Sequence, residues 1–105
     1  MKNQEIAKIL FEIALYLEMK DIPFKPRAYD KAAHSIEALQ EDVSDIYKKG
    51  GIKALEEIPG IGKGIGERIE EFLKTGRIKS YESLLIFLGN TRGKLVNFIS
   101  FFLNF

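Results

Sequence analysis

The nine-residue segment IPGIGKGIG limits most strongly how this chain can fold. It places one proline and four glycines at residues 58–66, between two stretches that show the apolar spacing of amphipathic helices. Proline cannot lie inside a helix, and glycine reaches positive φ without strain. The segment therefore predicts a tight hairpin that joins two helices, with Pro59 ending the first of them.

The glycines of this hairpin are also suited to holding an anion. We expect Gly60 and Gly62 to take positive φ and reverse the chain, while Gly64 and Gly66 lie where the second helix begins. Backbone N–H groups without neighbouring side chains can approach a ligand directly, and they add to the free N–H groups at the positive end of a helix. Lys63 adds a mobile charge. The pattern predicts a site for phosphate.

Three interpretations of the segment compete. A plain turn between helices needs only about one glycine. A mononucleotide loop requires a glycine pattern after a strand, or the GxxxxGK[ST] pattern, and the sequence has neither. Binding of a sugar-phosphate backbone explains the order of residues best, and Ile58, Ile61 and Ile65 are then expected to anchor the hairpin to the core.

The rest of the chain predicts an all-α fold, a small bundle of five or six short helices that contains this hairpin. Apolar residues recur at helical spacing, and no strand-like alternation persists. Asn3 is a candidate N-cap of the first helix, and Pro26 suits the first turn of the second. The predicted helical segments are residues 3–19, 26–39, a turn within 41–51 that stops at Gly50 and Gly51, 52–58, 65–75, 77–89 and a tail from Arg92.

Composition excludes several classes of protein. The chain has 105 residues, no cysteine and one histidine, so we expect one domain without disulfides or a zinc site. The net charge of +1 excludes a strongly cationic protein, and a polyanion would have to meet a local patch. No signal peptide or membrane span is indicated. We expect a cytoplasmic protein that associates with the nucleoid.

The segment LEEIPGIGKGIGERIEEFLKTGRI resembles the helix-hairpin-helix motif, a non-specific DNA-binding element. The wider chain, from EIAKILFEIALYLE through PFKPRAYDKAAHSIEAL to YESL, is similar to the N-terminal domain of bacterial and archaeal family X DNA polymerases. We therefore expect a domain at residues 1–84 and an apolar, Phe-rich extension at residues 85–105 that packs on it. Members of this family polymerise DNA with metal-binding aspartates in a later domain. This chain has no Asp-x-Asp pair, so we do not expect polymerase activity from it.

The resemblance also implies roles for individual residues. In animal repair polymerases of this family the domain binds the 5′-phosphate side of a DNA gap, and some members remove a 5′-deoxyribose phosphate through a lysine Schiff base. The position of that lysine matches Arg68, which stays protonated and cannot attack a sugar aldehyde. The pocket lysine and tyrosine of the family match Lys25 and Tyr29. A second basic position falls on Gly64, with Lys63 beside it.

The resemblance further implies a monovalent cation, K⁺ or Na⁺, held by the backbone carbonyls of Glu56, Ile58 and Ile61 and bridging to DNA phosphate. We expect no other cofactor. A pocket histidine of the family is replaced by Phe24, and the acidic residue before the lyase position is kept as Glu67.

Basic residues on the second predicted helix give a signal of their own. Arg27, Lys31 and His34 are spaced i, i+4 and i+7, and Lys25 precedes them. They form either a solvated helix face or an electropositive face shared with the hairpin. Lys31 and Lys63 are also the candidates for a Schiff-base lysine at a non-standard position.

The sequence thus favours non-sequence-specific DNA binding at gapped or nicked ends that carry a 5′-phosphate, in base excision repair or synthesis. One alternative is a 5′-deoxyribose-phosphate lyase. Another is self-association or a protein partner bound through residues 86–105. Glu67 and Glu71 would repel DNA unless they turn away from it, and a second basic cluster follows the hairpin helix at Lys74, Arg77 and Lys79.

Overall fold

The computed structural model describes residues 2–83, and this part of the chain is helical without a strand. The four helices are α1 (Lys2–Met19), α2 (Lys25–Ala38), α3 (Val43–Glu56) and α4 (Lys63–Thr75). A further helical segment covers residues 79–83. The predicted all-α fold is confirmed for the described residues, and the predictions for residues 84–105 lie outside them.

The helices pack as two pairs around one core, α1 against α2 and α3 against α4. Apolar side chains at helical spacing on each element close this core, because burying them removes them from water. The largest fully buried side chains come from all four helices and from the segment after α4: Ile6, Leu10, Ile36, Val43, Leu55, Ile69 and Ile78.

Asn3 has a different role from the predicted helix cap. It lies within α1, is 2% exposed, and joins the start of that helix to the turn before α3. Its side-chain amide donates to the Glu41 carbonyl at 2.9 Å, and its Oδ1 accepts from the Val43 amide at 2.7 Å. The buried Val43 amide thereby gains a partner, which is why a polar side chain is stable inside this core.

The helix α3 is capped by Asp42 and interrupted at the glycine pair where the sequence predicted a stop. Asp42 caps it by accepting from the Ser44 amide at 2.8 Å, and this hydrogen bond lowers the pKa of the Asp42 carboxyl. Gly51 has a φ of 67° and a ψ of −157°, so the helix is interrupted there, at the glycine pair that was expected to stop it. The short second half ends at Glu56 and leads directly into the hairpin.

The end of α4 positions the segment that follows it. Gly76 adopts a left-handed φ of 76°, and its amide donates to the Phe72 carbonyl at 2.7 Å. The Glu71 side chain then accepts from the Lys79 amide at 3.0 Å, at the first residue of the segment 79–83. Among the described residues, none of the helices combines the length and the apolar character needed to cross a membrane.

Candidate functional site

Three buried isoleucines hold the hairpin between α3 and α4 against the core. Ile58, Ile61 and Ile65 are 7%, 3% and 7% exposed, which confirms that they anchor it to the core. The Ile61 amide donates to the Ile58 carbonyl at 2.9 Å and closes the bend. Gly60 reverses the chain with a φ of 87°, a conformation that a side chain would strain.

Gly62 differs from its predicted conformation. Its φ of −90° and ψ of −172° are extended, because it is the N-cap residue of α4 and the reversal has already been made at Gly60. A Cβ atom at Gly62 would meet no atom within 4 Å. Neither the backbone nor the packing therefore requires a glycine here.

The hairpin presents a row of free backbone donors. Within residues 2–83, no acceptor pairs with the amides of Gly60, Gly62, Lys63, Gly64 and Ile65, and no side chain caps α4. The last three of these amides form the first turn of α4, where the helix carries partial positive charge. Donors at this position are available to an anionic ligand.

Gly66 contributes no free donor, which corrects the expectation for this glycine. Its amide donates to the Gly62 carbonyl at 2.8 Å, and the residue is buried. A Cβ atom here would lie 3.4 Å from Glu56 and 3.8 Å from Ile52 and Ile61. Gly66 is thus a packing residue between α4 and the end of α3.

An open cavity of about 440 Å³ lies beside the free amides. It brings together predicted site residues that are far apart in the sequence, from the start of α2, the hairpin and α4. The predicted residues that line it are Lys25, Tyr29, Gly60, Gly62, Gly64 and Arg68.

The cavity also has lining residues that were not assigned to the site from the sequence. They come from α1, from α2, from α4 and from the segment after α4. These residues are Ile13, Tyr16, Leu17, Ala28, Ile65 and Ser80. The spacing i, i+3 and i+4 of the three α1 residues marked one face in the sequence, but nothing in that pattern told a cavity wall from the core. Nothing in the sequence marked Ser80 as a cavity residue, because it reaches the cavity only through the turn of the chain at Gly76.

The charge of the cavity is positive. Lys25 and Arg68 line it, and no carboxylate does so among the described residues. The Nε atom of Arg68 is buried and has no hydrogen-bond partner in the described part of the chain. The guanidinium of Arg68 therefore keeps at least one hydrogen-bond donor without a partner among the described residues, next to the free amides of the hairpin.

Two carboxylates of α4 have hydrogen-bond partners elsewhere in the protein. The Glu70 carboxylate accepts from the Tyr47 hydroxyl at 2.7 Å, and the pKa of Tyr47 is raised by that hydrogen bond. Glu71 caps the segment 79–83 through the Lys79 amide. Glu67, the third acidic residue of this helix, is exposed and also lies outside the cavity lining. Glu71 is thus bonded to a backbone amide and lies outside the cavity lining.

Arg27, Lys31 and His34 are exposed on one side of α2, as their helical spacing predicts, but they have different neighbours. His34 turns to α1, where its ring makes an edge-to-face contact with Phe11 at 4.9 Å, and its Nδ1 lies 2.9 Å from the Asp30 carbonyl. The Lys31 side chain lies beside the hairpin, and its Cγ is 3.2 Å from the position of a Cβ on Gly60. Arg27 is exposed and outside the cavity lining. Only Lys25 and Lys31 thus approach the hairpin.

The basic cluster after the hairpin helix, at Lys74, Arg77 and Lys79, has two of its charges paired with carboxylates. Arg77 makes two hydrogen bonds to the Glu82 carboxylate, at 2.6 and 2.8 Å. Lys74 lies 3.8 Å from Glu70, the i, i+4 pair that the helix spacing allows. This cluster is less available to a polyanion than the cavity is.

The hairpin carbonyls fit the implied monovalent cation in chemistry. The Glu56 and Ile61 carbonyls accept no hydrogen bond within residues 2–83, and the Ile58 carbonyl accepts one, from Ile61. Neutral carbonyl oxygens are the ligands that suit an alkali cation. No cluster of three His, Cys, Asp or Glu side chains suited to a metal ion is found in the described residues.

A strained aromatic residue lies next to the cavity. Phe24 precedes Lys25, is 90% exposed, and has a φ of 69°. Such a conformation is unfavourable for a residue with a side chain. It turns the chain into α2 and so places Lys25 at the start of that helix.

Comparison with known proteins shows which family this chain resembles. The family model described as a helix-hairpin-helix domain matches residues 1–78. Over 85 residues the chain is 34% identical to a protein of Bacillus subtilis (strain 168) named DNA polymerase/3′-5′ exonuclease PolX. The match covers 80% of this chain and 14% of that protein, so the chain spans about one seventh of the length of this curated relative.

Proposed function

This chain belongs to the helix-hairpin-helix domain family, and we propose that it binds DNA through the sugar-phosphate backbone, at gapped or nicked ends that carry a 5′-phosphate. Its similarity to a protein named as a DNA polymerase and exonuclease supports a role beside DNA synthesis or repair. In this proposal the chain binds DNA without polymerising it, in the cytoplasm and at the nucleoid.

One observation carries the proposal: a single cavity joins free backbone donors to two cations. Gly62 and Gly64 expose amides of the α4 N-terminus there, and Arg68 brings a buried nitrogen without an acceptor. A terminal phosphate monoester has more charge and more free oxygens than a phosphate within a strand, so it can satisfy more of these donors at once. Lys25 and Tyr29 line the same cavity.

Binding of this kind reads no base sequence. The donors at the hairpin are backbone amides, which contact phosphate oxygens and carry no preference for a base. The exposed Lys31 and Lys63 are placed beside the hairpin and at the first residue of α4, where they add long-range attraction to neighbouring phosphates. A monovalent cation on the hairpin carbonyls would bridge one further phosphate.

The test compares duplexes with a one-nucleotide gap that differ only in the 5′-phosphate, by fluorescence anisotropy at two salt concentrations. We expect tighter binding of the phosphorylated gap, and no dependence on the sequence around it. Lys25→Ala should weaken binding and lower the slope of log affinity against log salt by about 0.9 if one phosphate contact is lost.

Lys49→Ala is the matched control, because it removes the same charge elsewhere. Lys49 pairs with Glu41 at 2.6 Å, in the turn that contacts Asn3 at the opposite end of α1 from the cavity. It should leave the preference for the 5′-phosphate unchanged. Equal binding of the two gaps by the parent protein, or equal losses in both variants, would show that the cavity is not the phosphate site.

Lyase activity is a second candidate, favoured by the placement of Lys31. Its side chain lies against Gly60, at the edge of the proposed phosphate site, and Lys63 begins the helix on the other side. A lysine amine there could condense with the aldehyde of a 5′-deoxyribose phosphate, releasing water. Borohydride trapping on an incised abasic substrate tests this step, and the absence of an adduct in the parent protein would refute it.

A further inference from the structure

The cavity is much larger than the phosphate it is proposed to hold. A phosphate ion occupies about 70 Å³ on a scale of about 30 Å³ per water molecule, whereas the cavity measures about 440 Å³. A nucleoside 5′-monophosphate occupies about 300 Å³ on the same scale. The volume is thus in the range of small-molecule sites, and a phosphate would leave most of it empty.

The lining divides into a polar and an apolar part. The hairpin and the start of α2 supply the amides and Lys25, while α1 supplies a wall of Ile13, Tyr16 and Leu17. Tyr16 and Leu17 are half-buried on this wall, next to the core. The Lys20 ammonium lies 6.0 Å from the centre of the Tyr16 ring. An apolar, aromatic wall opposite a phosphate-binding bend is suited to a nucleobase, which combines a flat apolar face with a charged tether.

We propose that this cavity takes the whole 5′-terminal nucleotide, with its phosphate on the α4 amides and its base against the α1 wall at Tyr16. This inference rests on the proposed function and adds a specificity to it. A base can reach the wall only after it leaves its partner and its stack in the duplex, which costs free energy. The protein should therefore prefer 5′-phosphorylated ends whose terminal base is unpaired.

The prediction is tested with three gapped duplexes that all carry a 5′-phosphate. In one the terminal nucleotide is paired, in the second it is mismatched, and in the third it is an abasic tetrahydrofuran residue. The mismatched and abasic ends both avoid the cost of unpairing, so their difference reports the contact to the base minus the cost of unstacking it. We expect the mismatched end to bind more tightly than the abasic end, by at most the factor of about 5 to 150 that stacking of one base on an aromatic side chain contributes.

Variants of Tyr16 show whether that difference arises at the α1 wall. Tyr16→Ala should bring the mismatched and abasic ends to the same affinity, and Tyr16→Phe should keep them apart. Tyr47→Ala is the matched control, because this half-buried tyrosine bonds to Glu70 between α3 and α4, away from the cavity. It should keep the two ends apart, and thermal unfolding should show that each variant is folded.

The parent protein alone can overturn the inference, so the result does not depend on the folding of a variant. An abasic end that binds as tightly as the mismatched end, or more tightly, would show that the base makes no net favourable contact in the cavity. A fourth duplex, mismatched but without the 5′-phosphate, separates this failure from a failure of the proposed function. Weaker binding of that duplex would keep the phosphate site while the base contact is rejected, and equal binding would remove both.

Discussion

A methyl group placed at Gly64 should stabilise the fold and weaken the binding of DNA ends. Gly64 is the second residue of α4, with ordinary helical backbone, and a Cβ there would meet no atom within 4 Å. Replacing a helical glycine by alanine stabilises by up to about 1 kcal/mol, which corresponds to a rise of about 4–8 °C in Tm for a domain of this size. The same methyl group would project into the cavity that Gly64 lines.

The expected loss in binding follows from the donors that the methyl group would keep from the phosphate. One hydrogen bond to a charged group contributes about 1.5–3 kcal/mol, so Gly64→Ala should weaken binding of a 5′-phosphorylated gap by about 10- to 150-fold. Binding of the unphosphorylated gap should change much less. Thermal unfolding measures the change in stability, and fluorescence anisotropy with the phosphorylated and unphosphorylated gaps measures the change in affinity.

Gly66→Ala is the control for this experiment. It makes the same substitution two residues further along α4, but its Cβ would contact Glu56 and the core side chain of Ile61, and its amide is already paired with Gly62. It should leave the preference for the 5′-phosphate unchanged. A Gly64→Ala protein that is folded, at least as stable as the parent, and equally selective for the 5′-phosphate would refute the reasoning.

Three further predictions concern stability and are measured by urea unfolding. Asn3→Ala should lower the free energy of unfolding by about 1–3 kcal/mol, since it leaves the buried Val43 amide without an acceptor, and an unchanged value would contradict that role. Asp42→Ala should cost about 1 kcal/mol at pH 7. Because capping lowers the pKa of Asp42 below its ordinary 3.8, this difference should shrink as the pH falls through the folded pKa, and a constant difference would argue against a charged cap. Burial raises the pKa of Glu12, 4% exposed, above its ordinary 4.5, despite a hydrogen bond from Tyr81. The stability it contributes is present below pH 4.5 and lost as the pH rises through the folded pKa, so Glu12→Gln should gain stability relative to the parent between pH 4 and pH 7; no gain would contradict the assignment.

Local rules predicted most of the helices and the hairpin. The apolar spacing gave α1 to within one residue at its start, and the glycine at position 76 ends α4 as expected. Gly50 and Gly51 were expected to interrupt the helix, and Gly51 does so with its positive φ. These features depend on the chain near each residue, so a sequence contains them directly.

Some corrections depend on contacts between distant segments, and others depend on how neighbouring glycines share the turn. Asn3 is buried because the turn before α3 folds against it, and the exposed His34 packs the edge of its ring with Phe11 of α1. Gly62 needs no positive φ, since Gly60 alone makes the reversal. None of these outcomes has a signature in local spacing.

The candidate site was predicted in part for the same reason. The glycines and Arg68 lie within one short stretch, and the cavity does bring Lys25 and Tyr29 to them. The α1 wall at Tyr16 could not be told from core, because both show the same helical spacing. The unpaired Nε–H donor of Arg68 could not be predicted either, because it is a property of the packed structure.

The most direct test of the central claim follows the backbone amides themselves. A ¹⁵N-labelled sample is titrated with a short 5′-phosphorylated gapped duplex, and the amide chemical shifts are recorded. The largest phosphate-dependent changes should occur at the unpaired amides of Gly60, Gly62, Lys63 and Gly64, and the paired amide of Gly66 should change less. Unchanged shifts at these four amides, in a sample that binds the duplex, would contradict the claim that main-chain donors at the hairpin hold the phosphate.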